Sequence, residues 1–155
     1  MVTKNIARIA LIAAIYAVIT IILAPISYGH INIQVRVSEA LTLLPYFLGY
    51  QAAIGLWIGC MIANFYGGLG IIDIIFGALL TLIAGLFTAR ARNIYTAGIY
   101  PVIINAFGIA LILNLVVEAP YFLTVVYVGV GQLISVYLLG IPLMKLLNKK
   151  INLYK

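Results

Sequence analysis

Glu39, Asp73 and Glu118 are the only acids in a chain of 155 residues that is 66% hydrophobic. A carboxylate in an apolar setting is costly unless a cation or a hydrogen-bond donor meets it, so each of the three marks a place where polar chemistry is expected. Arg36 stands three residues before Glu39, a spacing that lets the two share a helix face and pair. Ser38 can instead cap that helix and leave Arg36 in the loop. Asn114 and Glu118, four apart, again share a face. Val128 and Gln132 fall within about 20° of Tyr121 at 100° per residue, so one stripe carries polar groups along the last helix. Trp57, Met61 and Asn64 form a comparable stripe. Asp73 taken alone is equally well explained as an acid in the first turn of a helix. Asn105 lies about 180° around its helix from Asn114 and is assigned a structural role.

Convergent hydrogen-bonding groups and aromatics in an apolar frame suit a small, flat, polar ligand. The sign of the charge narrows the class. Arg36 and a protonated His30 are the only nearby cations, so a cationic ligand, or one rich in N–H donors, fits better than a phosphate or a dicarboxylate. The competing reading is that these polar groups bond only one another across helices. Catalysis has little support. No glycine is followed by lysine, which removes a Walker site; a single His and a single Cys exclude an HExxH centre; and no Gly-x-Ser-x-Gly elbow is present. The residues point to a binder or transporter rather than an enzyme, with no cofactor and no metal site in this chain. Cys60, inside an apolar run, offers no disulfide.

The elements that position these residues follow from hydropathy. Only 8% of the residues are charged and the mean hydropathy is +1.23, whereas about a quarter of residues are charged in soluble domains. Six apolar runs are predicted as helices, at about 5–24, 38–48, 51–66, 71–89, 100–118 and 121–147, with Pro101 in the first turn of the fifth. The expected fold class is an all-α integral membrane protein in which 1–155 form one six-helix bundle. An even number of spans puts Lys4, Arg8, Arg90, Arg92, Lys145, Lys149, Lys150 and Lys155 on one side, which the positive-inside rule makes cytoplasmic, along with both termini. The three acids then share the opposite face. Merging the second and third runs would give five helices and scatter the cations. The net charge of +6 is thus a topology signal and not one for nucleic acid. Small residues recur every fourth position, as Ala10 and Ala14, Ala13 and Ala17, Gly55, Gly59 and Ala63, and Gly77, Thr81 and Gly85, a pattern that lets helix backbones approach closely.

The stretch from Gln34 to Pro45, with its Arg36-Val37-Ser38-Glu39-Ala40-Leu41-Thr42 core, resembles the QueT family of queuosine-precursor transporters. The resemblance extends over the chain in length and six-helix layout. It implies a substrate-binding S component of an energy-coupling factor (ECF) importer in a prokaryotic cell membrane. Such a protein binds its ligand on the extracellular side, works with a transmembrane T component and two ATPase subunits, and reorients in the membrane to release substrate inside. It further implies that the alanine-rich first helix, with Ala10, Ala14 and Ala17, contacts the T component. The implied ligands are 7-deazaguanine bases. Arg36, Glu39, Trp57, Asn64, Asp73, Asn114, Glu118, Tyr121 and Gln132 are the expected substrate contacts. The implied bases include aminomethyl and cyano forms and queuine. One of Glu39 and Glu118 is expected to read the guanine edge and the other acids to handle the amine where an aminomethyl arm is present, with Trp57, Tyr66, Tyr121 or Phe122 stacking on the ring. The alternatives are an S component for another vitamin-like heterocycle and a non-transporting membrane scaffold.

Overall fold

A computed structural model of the chain describes residues 2–28 and 35–151; His30, Gln34 and Lys155 lie outside the described residues. Every regular element among the described residues is helical. In chain order they are α1 (Val2–Ile22), α2 (Ala24–Ser27), a 3-10 segment (Val37–Leu43) running into α3 (Leu44–Leu48), and α4 (Tyr50–Gly67). A π-helical segment (Asp73–Gly77) then opens α5 (Ala78–Thr88), followed by α6 (Ile94–Val117). Last comes α7 (Tyr121–Leu133), joined to α8 (Ile141–Ile151) through a second π segment (Ile134–Gly140). Three stretches are long and apolar enough to cross a membrane, Thr3–Ile22, Ile94–Val117 and Tyr121–Lys150, and Val37–Leu48 and Asp73–Thr88 are shorter apolar helices. Large apolar side chains face outward on most of them, among them Leu11, Ile62, Phe76, Phe107 and Leu138. A surface of that kind needs lipid or protein against it, and the chain is a membrane protein.

Local chemistry accounts for where the helices differ from the hydropathy runs. α6 begins at Ile94, about two turns before the predicted start, because Asn93 and Thr96 form a reciprocal capping box. Pro101 therefore sits inside the helix instead of its first turn. A proline there has no N–H to give the carbonyl four residues back, and Thr88 Oγ1 donates to that Ala97 oxygen at 3.2 Å. The helix continues through the proline because a neighbouring hydroxyl replaces the missing bond. The first helix stops at Ile22, and Pro25 falls in the opening turn of α2. The second run is half 3-10 and half α, and it is separated from α4 by Gly49 at φ 73°, a conformation that glycine adopts without a steric penalty.

The helices alternate in direction. α1 and α4 run side by side in the same sense: Arg8 reaches Gln51 at one end, Tyr28 donates to the Ala63 carbonyl at the other, and Gly55 and Gly59 lie against Ile12 and Ala13 between them. The 3-10 segment returns along α1, pairing Ser38 with Thr20 and Glu39 with Tyr16. α5 returns along α4, with Asp73 beside Asn64, Thr81 beside Cys60 and Gly85 beside Ala53. α6 reverses again, placing Ala97 near Thr88 and Gly108 near Leu80, and the last run reverses once more, with Gly129 near Ala106 and Tyr137 near Gly98. One end of the bundle thus carries Arg8, Arg90 and Lys145, the last bonded to the Tyr95 hydroxyl at 2.9 Å. The other end carries Arg36, Asp73 and Glu118. The buried core joins Tyr16, Leu43, Leu56, Val136 and Met144, and Gly140 lets the second π segment approach the Ala40 carbonyl of the 3-10 segment.

Candidate ligand-binding site

Glu39 sits on the 3-10 segment and is only 2% exposed. Tyr16 Oη donates to its Oε1 at 2.5 Å and Asn105 Nδ2 donates to its Oε2 at 3.3 Å. A carboxylate can only accept, so this contact assigns the Asn105 amide: its NH2 faces Glu39 and its Oδ1 points elsewhere. The Thr20–Ser38 contact, 2.6 Å between hydroxyls, ties the start of the 3-10 segment to α1 one turn above Tyr16. Glu39 is thereby held by both of its oxygens from two different helices.

Arg36 takes other partners than Glu39. Its Nη1 donates to Asn64 Oδ1 at 3.1 Å, and its guanidinium lies 5.4 Å from the centre of the Tyr28 ring, a cation–π arrangement. Asn64 Nδ2 in turn donates to the Asp73 backbone carbonyl at 2.9 Å, so this asparagine is fixed at both ends. Ser38 bonds Thr20 and does not cap the helix. Asp73 opens the first π segment and is 5% exposed. Its carboxylate folds back over Gly77, where an added Cβ would lie 2.6 Å from Asp73 Oδ1 and 2.9 Å from Asn64 Nδ2. The π segment and the glycine together make room for the acid.

These groups surround one cavity. Its polar lining includes Ser27, Arg36, Glu39, Asp73, Asn105 and Gln132, and its apolar lining includes Leu69, Ile109, Leu113 and Val128. The space free of protein atoms, open mouth included, is about 590 Å³. Ser27 Oγ, Asn105 Oδ1 and Gln132 Oε1 are buried with no hydrogen-bond partner among the described residues. Buried polar atoms are nearly always paired, so three orphans around one cavity call for a polar occupant. The described lining holds two carboxylates and one guanidinium, a formal surplus of one negative charge.

Of the residues expected to touch substrate, Arg36, Glu39, Asp73 and Gln132 meet in this cavity, and Asn64 braces Arg36 and Asp73 from behind. The structure leaves Trp57, Asn114, Glu118 and Tyr121 outside it. Trp57 packs on the hydrophobic core. Asn114 Nδ2 donates to the Ala119 carbonyl at 2.8 Å and closes the corner after α6. Glu118 ends α6 in a left-handed conformation, φ 56°, and turns to solvent. Tyr121 packs edge-on against Phe122, 5.4 Å between ring centres. No aromatic residue is among the described lining, so the faces offered to a flat ligand are aliphatic. Phe122 and Tyr66, also expected to stack, are exposed. On α1, Ala10 and Ala14 are exposed, whereas Ala17 is 5% exposed and packs inward on the same face as Ala13.

Sequence reasoning missed Asn105, Tyr16 and Ser27. A usable signal existed for two of them: Tyr16 and Thr20 are polar residues four apart on an otherwise apolar helix, and Asn105 interrupts an apolar run in α6.

The comparisons with known proteins agree on one family. The model of the QueT transporter family matches residues 6–149. The queuosine precursor transporter QueT of Lactococcus lactis subsp. cremoris (strain MG1363) is 34% identical over 167 aligned positions, covering 97% of this chain and 96% of that one. No solved structure matches. With the family model covering nearly the whole length, the chain belongs to the QueT transporter family.

Proposed function

We propose that this protein captures a queuosine precursor, a 7-deazaguanine base, in the Glu39–Asp73–Asn105 cavity and serves as the S component of an ECF importer. The observation that carries the reading is the set of orphaned buried atoms, Ser27 Oγ, Asn105 Oδ1 and Gln132 Oε1, around a cavity with surplus negative charge. A guanine-like edge presents N–H and amino donors, which two amide oxygens can accept, and the N–H groups of Arg36 left over from Asn64 suit its carbonyl oxygen. Leu69, Ile109, Leu113 and Val128 supply apolar surface for the ring faces. A scaffold whose polar groups served only assembly would leave those groups paired with one another.

In this reading the six alternating helical runs each span the plasma membrane of a prokaryotic cell. The Arg8, Arg90 and Lys145 end is cytoplasmic under the positive-inside rule, and the cavity end faces outward. The outward-facing Ala10 and Ala14 of α1 contact the T component, and two ATPase subunits supply the energy for reorientation and release. Ala17, packed inside the bundle, is left out of that surface.

The test is thermal unfolding of the detergent-purified chain with candidate ligands. Binding to the native state at about 100 times Kd adds about 2.7 kcal/mol of apparent stability. A raised midpoint with 7-deazaguanine bases, and none with thiamine or biotin, is the expected result. A shift with one of those vitamins instead would reassign the substrate, and no shift with any small molecule would favour the scaffold.

A further inference from the structure

The two carboxylates in the cavity are not equivalent, and the difference assigns the ligand's orientation. Both oxygens of Glu39 already accept hydrogen bonds, one from Tyr16 and one from Asn105. The Arg36 guanidinium is engaged by Asn64 and the Tyr28 ring. Asp73 is different. Its backbone carbonyl is bonded by Asn64, but no described side chain donates to its carboxylate, although the residue is 5% exposed and lines the cavity. Glu39, by contrast, fixes the Asn105 amide, whose oxygen is left without a described partner.

We infer that Asp73 is the counter-ion for a primary ammonium on the ligand, making the cavity selective for a base carrying an aminomethyl arm over its uncharged cyano counterpart. The assignment rests on the proposed function and deepens it. A single ammonium cancels the single surplus negative charge of the described lining and meets the one lining acid without a described side-chain partner. The ring's own N–H donors go to Asn105 Oδ1 and Gln132 Oε1. Glu39 acts through Asn105 as a positioning residue, holding that amide with its oxygen toward the ligand. The cyano base offers the same ring edge but no cation, so it brings no charged donor to the Asp73 carboxylate.

The test is a cross-comparison of two ligands on two proteins, measured by calorimetry on the full detergent-purified chain. The unmodified protein is expected to bind the aminomethyl base at least tenfold more tightly than the cyano base. In Asp73→Asn the aminomethyl base loses about tenfold or more in affinity, the scale set by removing a charge-assisted partner, while the cyano base changes by no more than about twofold to threefold. Retained cyano binding also reports that the variant is folded; Asp73→Ser provides the same comparison if the asparagine variant does not fold. Equal losses for both bases would mean that Asp73 reads the ring and would overturn the assignment. So would an unchanged affinity for the aminomethyl base. Failure of the unmodified chain to bind either base would instead defeat the ligand class, and the assignment with it.

Discussion

Glu39 and Glu118 look alike in the sequence, each an acid within four residues of a polar partner, yet the structure treats them oppositely. Glu39 has two donors, Tyr16 Oη and the Asn105 amide, both from buried residues. Glu118 is exposed at a left-handed helix end. Replacing Glu39 by alanine strands both donors, at about 1–3 kcal/mol each, and releases the Asn105 amide from its orientation. Glu39→Ala is therefore expected to lower the unfolding midpoint and to weaken base binding at least tenfold, where Glu118→Ala changes stability by no more than about 0.5 kcal/mol and leaves affinity unaltered. Thermal unfolding and calorimetry on the two purified variants check this directly. Matching losses in both would place the ligand at the α6 corner instead of the cavity.

The two π segments are where helices stop being interchangeable rods. The first lets the Asp73 carboxylate fold over Gly77, and a methyl at that position would have to occupy space 2.6 Å from the acid oxygen and 2.9 Å from Asn64. Gly77→Ala is expected to displace both groups and reduce affinity for the aminomethyl base about tenfold or more. The bundle itself should survive, at a cost of about 1–3 kcal/mol for local overpacking. Wild-type affinity in that variant would mean that the Asp73 carboxylate has no role in the cavity. None of this local irregularity was legible in advance. Hydropathy records that 73–88 is apolar, but not that its first turn is widened or that residues 37–43 are wound as a 3-10 helix. What hydropathy and charge do expose is the all-helical, apolar character of the chain, the glycine face of α4 and the grouping of Arg36, Asp73 and Gln132 around one cavity. The angular argument on α6 places Asn105 and Asn114 on opposite faces, and it is the Asn105 face, not the one shared by Asn114 and Glu118, that lines the cavity. Glu118 lies beyond the last helical turn, where a left-handed residue frees its side chain from the helix's periodicity, so it carried no information about the inward face.

Across the whole molecule, α1 is the element whose two sides differ most. Tyr16, Thr20, Ala13 and Ala17 are buried against the bundle, and Gly59 admits the α1 backbone so closely that an added Cβ would lie 2.7 Å from the Ala13 carbonyl. The opposite side presents Ala10 and Ala14 beside Leu11 and Val18, all exposed. Alanine on an outward face contributes little to burial within this chain, but small residues there allow a second helix backbone to come near. That gives a way to separate capture from energised import. Ala14→Leu adds bulk to a surface that meets only detergent or lipid in the isolated protein, so its unfolding midpoint and base affinity are expected to stay at wild-type values. The same side chain would hold a partner helix away, so uptake of the base by cells carrying the T component and ATPase subunits is expected to fall by tenfold or more, an opposed packing loss of about 1–3 kcal/mol being sufficient. Normal uptake in Ala14→Leu would remove α1 from the partner interface, and loss of binding in the isolated variant would show instead that this face supports the cavity from outside.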